Sequence, residues 1–469
     1  MTKLKGFFLY VMILSLTFSS AALWAAEAKK KVKRGAYAGS NVIFVSFDAL
    51  QAAHTGCLGY SRETTPTIDR FAEEGFLFKN AISQSSWTVP ATMSYFTSLY
   101  PSQHKLINKY STYTDEEKVL SNLKELSPEA VTLAQILKEN GYATGGFTGD
   151  AGVGARFGFA QGFDTYFEGP KFSGMEQSIP AALEWLKKNS KNKFFLFLHG
   201  YDVHGQHDPS GGFTREFVDP PYNGGLKGGK EEQGVIREEG LEKGHIELTD
   251  EDVRFWRALY DEKIKDVDEL FSGFADELRK MGLLENTIIV LCSDHGTEFY
   301  EHQRFDHGFS LYDELIRVPL IFRLPRTKGS VVIEGQVRGI DVMPTVLELL
   351  GVKVPDKIKK QMQGVSLIPC MTGARMDLTA FTETDYRFYI YKRAIRTPDG
   401  LKFIYSLDTG VKELYNLNDD PGELNNLAEK DKRNAYELEQ KLFSWLKSVG
   451  CDENYPRRIL KQVLKIKEY

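Results

Sequence analysis

Cysteine is scarce in this sequence, with four residues in a chain of 469, at positions 57, 292, 370 and 451. So few and so widely separated cysteines exclude a disulfide-stapled scaffold and a zinc ribbon, because both need closely spaced sets. A pairing of Cys370 with Cys451 in an oxidising compartment stays open, since spacing alone cannot establish it.

An excess of positive charge is also missing. The chain carries 59 Lys and Arg against 64 Asp and Glu, a formal net charge of -5. Broad binding to nucleic-acid phosphates needs clustered cations, so no nucleic-acid partner is expected. With 42% hydrophobic and 12% aromatic residues, the chain has material for a large core and an appended smaller domain.

Only one apolar run is long, and it lies at the amino terminus, over residues 6–24. Lys3 and Lys5 precede this run and small residues follow it, which is typical of a secretory signal. We predict a signal peptide at residues 1–28, cleaved after Ala28 or alternatively after Ala25, and hence a periplasmic or secreted protein. An uncleaved anchor is the alternative, because about 19 apolar residues can just span a bilayer.

Short apolar runs alternate with amphipathic helical stretches over most of the remaining chain. Buried strands are predicted at 41–47, 194–200, 287–293 and 318–324, and helices at 133–140, 180–188 and 258–281. This alternation predicts an α/β fold with a mostly parallel central sheet flanked by helices. Ligands gather at the carboxyl ends of such strands. Polar residues follow three of these runs, namely Asp48, the segment 199–207, and Asp294 with His295.

The predicted domains are a catalytic α/β domain at 38–374 and a small α+β subdomain at 375–469. In the latter, aromatic and polar residues alternate over 379–417, which predicts a small antiparallel sheet, and 435–449 reads as an amphipathic helix. Residues 205–250 are rich in Gly, Pro and charge and predict a long surface loop. A substrate-gating role and a plain insertion are both open for that loop.

Several polar residues could together carry chemistry. Asp48, Asp294 and His295 offer carboxylate oxygens and an imidazole suited to a divalent cation. A hydroxyl beside that cation, such as that of Thr88, becomes a better nucleophile. Pro90 comes two residues after Thr88 and precedes a helical stretch. If Thr88 lies at the start of that helix, the free amides there would hold an anionic ester group.

Six segments resemble, in order, the signature blocks of the sulfatase family, which belongs to the alkaline phosphatase-like superfamily. They are NVIFVSFDAL, TTPTIDRFAEEGFLFKNAISQSSWTVPATMSYFTSLYPSQH, FLHGYDVHG, SDHGTEFYEHQRFDHGFSLYDELIRVPLIF, GIDVMPTVLELLG and KELYNLNDDPGELNNLA. The resemblance implies that Asp48, Asp294 and His295 bind a metal ion and that Thr88 lies at the nucleophile position, in contact with it. It also implies that His204 and His307 touch the ester oxygens or protonate the leaving group.

The sequence departs from that family at the nucleophile. The family signature is Cys or Ser, any residue, Pro, any residue, Arg, whereas this chain has Thr88-Val89-Pro90-Ala91-Thr92. Formylglycine cannot form from threonine, so none is expected. The second Asp that often follows the first metal ligand is also missing, because Ala49 follows Asp48. Fewer carboxylates and an added imidazole favour Mn²⁺ or Zn²⁺ over Ca²⁺.

These observations predict an exported hydrolase with one divalent metal ion, which cleaves sulfate or phosphate esters through Thr88. The substrate would be a small anionic ester, or a sulfated or phosphorylated glycan or lipid. The alternatives are a phosphodiester or phosphonate hydrolase, an envelope phosphotransferase, and a catalytically degenerate binding protein. A two-metal site is a further alternative and would need ligands from Asp202, His204, His207 or Asp306.

Overall fold

A computed structural model describes residues 29, 31–109, 126–205, 207–209, 211–327, 329–387 and 390–451. The predicted signal peptide at residues 1–28 lies outside the described residues. Within the described ranges, no helix combines the length and the apolar character needed to cross a membrane.

The strands of the described chain form two main sheets. Their bounds are β1 Asn41–Phe47, β2 Phe76–Ile82, β3 Asn108–Lys109, β4 Ala143–Thr148, β5 Thr165–Glu168, β6 Phe194–Gly200, β7 Thr287–Ser293, β8 Glu298–Phe299, β9 Phe305–Asp306, β10 Arg317–Arg323, β11 Val331–Arg338, β12 Ala380–Tyr386, β13 Ile390–Arg396, β14 Leu401–Ser406 and β15 Lys412–Asn416.

Helices connect these strands. Their bounds are α1 Pro66–Glu73, α2 Thr88–Thr97, α3 Pro101–His104, α4 Leu133–Glu139, α5 Met175–Asn189, α6 Lys230–Lys243, α7 Asp250–Lys280, α8 Asp313–Ile316, α9 Val342–Leu350, α10 Asp356–Gln361, α11 Ile368–Met371 and α12 Lys432–Ser448.

The central sheet has eight strands in the order β11-β2-β10-β7-β1-β6-β4-β5. It is parallel except at β10, which runs antiparallel to both of its neighbours. The register pairs Phe47 at the end of β1 with Gly200 on β6 and with Ser293 on β7. Three consecutive strands in space therefore end at one level, which brings the residues that follow them to the same edge of the sheet.

Both faces of the central sheet are covered, so β1 is buried along its whole length and is apolar except at Asn41 and Ser46. Val42 and Phe44 face one hydrophobic cluster, whereas Ile43 and Val45 face the other. The 31-residue helix α7 covers the second face and begins at a capping box in which Thr249 accepts from the amide of Asp252.

The second sheet has the order β15-β14-β13-β12-β3 and is antiparallel except where β3 joins β12. Helix α12 packs on it through Leu438, Leu442 and Leu446, which share a cluster with Phe403 and Leu414. Burial of each such side chain contributes about 2 kcal/mol. The predicted fold, a mostly parallel sheet flanked by helices with a small antiparallel sheet and a helix near the carboxyl terminus, is confirmed.

The prediction of a surface loop over 205–250 is wrong for its second half, which forms α6. The buried residues of α6 lie on one face of the helix. They are Gln233, Ile236, Arg237, Gly240 and Leu241. Only two of them are large apolar residues, so hydrophobic periodicity could not reveal this helix; tertiary packing stabilises it. The structure also does not join Cys370 to Cys451, because Cys370 packs in the main core and Cys451 lies 3.8 Å from the guanidinium of Arg393.

Candidate active site

The end of β1 and the end of β7 bring two carboxylates together. Asp48 and Asp294 are both completely buried. The backbone amides of Ala49 and His295 donate to Asp294 Oδ1 over 3.2 and 2.9 Å. Ala49 adopts the left-handed region with φ 59°, which is uncommon for a non-glycine residue and turns the chain sharply at this edge.

One oxygen of each carboxylate is left over. Asp48 Oδ1 and Asp294 Oδ2 are buried and accept no hydrogen bond within the described chain. Burial, and then the charge of Asp294, raise the pKa of Asp48 well above its usual range. Two buried carboxylates with unsatisfied oxygens are costly in a protein interior unless a cation compensates them.

His295 adds an imidazole beside the two carboxylates, which with His199 already form a group able to hold a metal ion. Its Nδ1 lies 2.7 Å from the carbonyl oxygen of Gly296, which can only accept, so Nδ1 carries a proton and a metal-binding lone pair would be that of Nε2. That Nε2 lies 3.8 Å from Asp48 Oδ1 and 3.6 Å from Asp294 Oδ2. A backbone carbonyl that fixes the tautomer in this way is usual for histidines that bind metals.

Thr88 lies at the same point. Its Oγ1 is 3.3 Å from His295 Nε2. Thr88 is the first residue of α2, as predicted, and the N-cap Trp87 makes no side-chain capping bond. Amides at such a helix start attract anions. Gly152 packs against the other side of Thr88, where an added Cβ would lie 3.3 Å from Thr88 Cβ and Cγ2.

His204 and His307 border this group. The ring of His307 lies 4.3 Å from the ring of His295 and 4.8 Å from that of His204, centroid to centroid. His204 Nε2 is 4.0 Å from Asp48 Oδ1. Burial lowers the pKa of His307 to about 3 and holds that of His204 well below its usual value.

His199 also joins the group, although sequence analysis placed it only within the polar segment 199–207. It is fully buried on β6, and its Nε2 lies 3.3 Å from Asp48 Oδ2. Burial lowers its pKa to about 4, so the ring is neutral at pH 7. A proton on Nε2 would hold Oδ2 of Asp48 and leave Oδ1 for a cation. The signal in the sequence was its position one residue before the end of a buried strand.

Two residues considered for a second metal ion lie in another group. The amide of Met175, at the start of α5, donates to both carboxylate oxygens of Asp202, over 2.9 and 3.0 Å. Burial and the charge of Glu176 raise the pKa of Asp202 to about 8. Asp202, Glu176 and His207 have their ligand atoms near one another, in a group separate from that of Asp48 and Asp294.

Helix α6 reaches the site with a cation. Arg237 is 7% exposed, and its Nε lies 3.2 Å from Asp306 Oδ2. The other oxygen of Asp306 contacts Nδ1 of His307. Gln233, one turn earlier on α6, lies so close to Gly205 that an added Cβ there would overlap its side-chain amide. Nothing in the sequence pattern indicated these contacts.

Comparison with protein families identifies the class. The Sulfatase family model matches residues 40–352, and the model of the N-sulphoglucosamine sulphohydrolase C-terminal region matches residues 300–449. The chain belongs to the sulfatase family, and the predicted enzyme class, a hydrolase acting on ester bonds, is confirmed.

Individual relatives are distant but match over most of their length. Arylsulfatase K of Canis lupus familiaris is 25% identical over 501 residues, which cover 94% of this chain and 88% of the relative. N-acetylglucosamine-6-O-sulfatase of Bacteroides thetaiotaomicron is 25% identical over 511 residues, which cover 89% and 86%.

Solved structures share the fold. Phosphonate monoester hydrolase of Agrobacterium radiobacter superposes with a TM-score of 0.67 at 19% identity, covering 87% of this chain and 96% of that one. A protein solved in complex with its substrate D-glucosamine-2-N,6-O-disulfate gives 0.65 at 21% identity, covering 88% and 98%. At this level of identity the likeness concerns the fold.

Proposed function

We propose that this protein is an exported, divalent-cation-dependent hydrolase of sulfate or phosphate esters that uses Thr88 as its nucleophile. One observation carries the proposal. The hydroxyl of Thr88, the lone pair of His295 and two unsatisfied carboxylate oxygens, from Asp48 and Asp294, converge beside the start of α2.

The donor set of Asp48, Asp294 and His295, with Thr88 beside it, suits Mn²⁺, Zn²⁺ or Ca²⁺, and the imidazole favours the first two. When bound, such a cation would favour ionisation of the Thr88 hydroxyl and offset the negative charge of the ester group. His199 lies close enough to Asp48 and Asp294 to act as a further ligand, or, with a proton on Nε2, to hold the second oxygen of Asp48.

In the first step, Thr88 Oγ1 attacks the sulfur or phosphorus atom while its own proton passes to solvent, and the alcohol or phenol leaves with a proton from His307 or His204. Burial keeps the pKa of His307 low, at about 3, but an anionic ester bound beside the ring would favour the protonated form. Water then attacks the ester on Thr88 and releases sulfate or phosphate; one of its protons restores the Thr88 hydroxyl and the other returns to the imidazole that acted as the acid.

The substrate class follows from two considerations. Relatives of this chain are named as sulfatases of sugars, which supports a sulfated glycan or a smaller sulfate ester as substrate. A plain threonine, however, cannot use the elimination available to formylglycine and suits phosphorus esters equally well. Thr92, which occupies the position of the signature arginine, is buried and uncharged, so this chain lacks that anchor.

The central experiment is an activity screen of aryl sulfate, phosphate monoester, phosphodiester and phosphonate substrates with Mn²⁺, Zn²⁺ and Ca²⁺. Thr88→Ala should reduce turnover to background, whereas the matched control Thr97→Ala, at the far end of the same helix, should keep it. Unchanged turnover in Thr88→Ala would remove this residue from the mechanism. No turnover of any ester by the wild type, with no bound cation, would instead favour a degenerate binding protein.

Export is proposed from the basic residues and the apolar run before residue 29. The protein should be expressed in a bacterial host with its amino-terminal segment intact, and the amino terminus of the exported protein should then be sequenced. The chain should begin at Lys29 or, for the alternative cleavage site, at Ala26. An intact Met1 in the cytoplasmic fraction would contradict export, and an intact Met1 in the membrane fraction would indicate an anchor.

A further inference from the structure

Helix α6 places a buried guanidinium beside the proposed leaving-group acid. Arg237 is 7% exposed, and a buried cation is stable only with partners that compensate its charge. One partner is the carboxylate of Asp306, with Arg237 Nε 3.2 Å from Oδ2. The other is Tyr386, whose hydroxyl accepts from Nη2 and whose ring centroid lies 5.7 Å from the guanidinium carbon.

Asp306 in turn touches His307. Its Oδ1 contacts His307 Nδ1, so the imidazole edge that carries Nε2 is the one left for a substrate. Asp306 is 1% exposed and adopts φ 86°, a conformation that a non-glycine residue keeps only when its surroundings enforce it. Arg237 is one of the groups that hold Asp306 there.

We propose that Arg237 is a positioning residue for leaving-group protonation: by binding Asp306 it keeps the ring of His307 oriented with Nε2 toward the departing oxygen. This inference rests on the proposed function, in which His307 is an acid. Among the described residues, the polar contacts of Arg237 are with Asp306 and Tyr386, so its effect on the reaction would pass through Asp306 and His307.

Tyr386, which contacts Arg237, also packs near the nucleophile. Its ring is fully buried and lies edge-on to Trp87, the residue before Thr88, at 6.1 Å between centroids. On another side it packs so closely on Gly308, the residue after His307, that an added Cβ there would overlap the ring. The last residue of β12 therefore supports the segments that carry both the nucleophile and the acid.

A positioning role and a merely structural one predict different kinetics. An acid matters most when the leaving oxygen is a poor leaving group, so misorienting His307 should slow phenyl esters far more than 4-nitrophenyl esters. Arg237→Ala should lower kcat at least about tenfold for the phenyl ester and less than about threefold for the 4-nitrophenyl ester, with KM little changed. Loss of folded protein would instead lower both rates by one factor.

The experiment measures kcat and KM for the phenyl and the 4-nitrophenyl ester in four variants. Both esters are sulfates or both are phosphorus esters, according to which class the wild type cleaves. Arg237→Lys should recover part of the phenyl-ester rate, and Tyr386→Phe, which keeps the ring, should give a smaller loss of the same kind. Lys243→Ala, an exposed cation on the same helix, should match the wild type. Equal losses for both esters in Arg237→Ala and Tyr386→Phe, or no loss, would overturn this inference alone; a wild type inactive toward all esters would overturn the proposed function with it.

Discussion

Replacing Asp294 by Asn tests the cation site through stability rather than activity. Asn keeps an oxygen at Oδ1, where the amides of Ala49 and His295 donate, so the local backbone should survive. The change removes the charge at Oδ2, the oxygen with no hydrogen-bond partner. We expect the variant to fold and to lose most of its affinity for divalent cations.

The expected rise in Tm on adding cation follows from the linkage between binding and folding. A cation that binds only the folded wild type at 100 times its dissociation constant stabilises it by about 2.7 kcal/mol. For a chain of 469 residues the unfolding entropy is about 1 kcal/mol per kelvin, so Tm should rise by about 3 °C. Without cation the wild type should be the less stable of the two proteins. The charge of Asp294 repels that of Asp48, as the raised pKa of Asp48 shows, and the Asn variant removes this repulsion. The chelated Asn variant should therefore melt higher than the chelated wild type.

The assay is thermal unfolding followed by circular dichroism, with chelator and then with Mn²⁺, Zn²⁺ or Ca²⁺. Asp268→Asn is the matched control, since Asp268 is equally buried but its carboxylate accepts from the amides of Thr67 and Ile68, away from the site. Asp268→Asn can change the Tm measured with chelator, but its Tm should still rise when the cation is added. A wild type whose Tm ignores all three cations, or an Asp294→Asn variant with the full rise, would refute the ligand assignment.

Three further outcomes are expected. Gly152→Ala would bring a Cβ to 3.1 Å from the Tyr201 hydroxyl oxygen and to 3.3 Å from Thr88 Cβ and Cγ2, so both neighbours must give by a few tenths of an ångström. We expect kcat to fall about tenfold because Thr88 is displaced, with the cation-dependent rise in Tm intact; an unchanged kcat would contradict this packing. Thr88→Ser keeps the hydroxyl and should retain measurable turnover where Thr88→Ala has none. Burial, and then Glu301, raise the pKa of Glu298 to about 7, so this residue stabilises the fold fully below its ordinary pKa of 4.5 and loses that contribution as the pH rises through 7. Glu298→Gln should flatten that fall, of up to about 3 kcal/mol, in urea unfolding between pH 5 and pH 8; parallel profiles for wild type and variant would contradict the assignment.

The sequence by itself determined the parts of the molecule that have local or periodic signals. Apolar runs identified β1, β6, β7 and β10 to within a residue, because strands buried on both faces need an unbroken apolar stretch. Polar residues directly after three of those strands located the candidate site, since parallel strands end at one edge of the sheet. Pro90 marked the start of α2 at Thr88.

Other features depended on contacts between distant segments, and only the tertiary structure decided them. Helix α6 carries few apolar residues and is stabilised by polar side chains buried against Asp306 and Tyr386, so no period in the sequence could reveal it. The role of His199 depends on the register between β1 and β6, which places it beside Asp48.

The same holds for the second sheet. Its strands were recognisable from alternation and turn residues, yet its closeness to the nucleophile depends on contacts made only in the fold. Among these are the ring of Tyr386, packed edge-on to Trp87, and hydrogen bonds from β12 to the carbonyl oxygens of Ser83 and Gln84. A sequence specifies which residues are apolar, polar or acidic, and therefore which elements form. The packing of those elements decides which polar side chains come into contact, and the chemistry of this protein depends on those contacts.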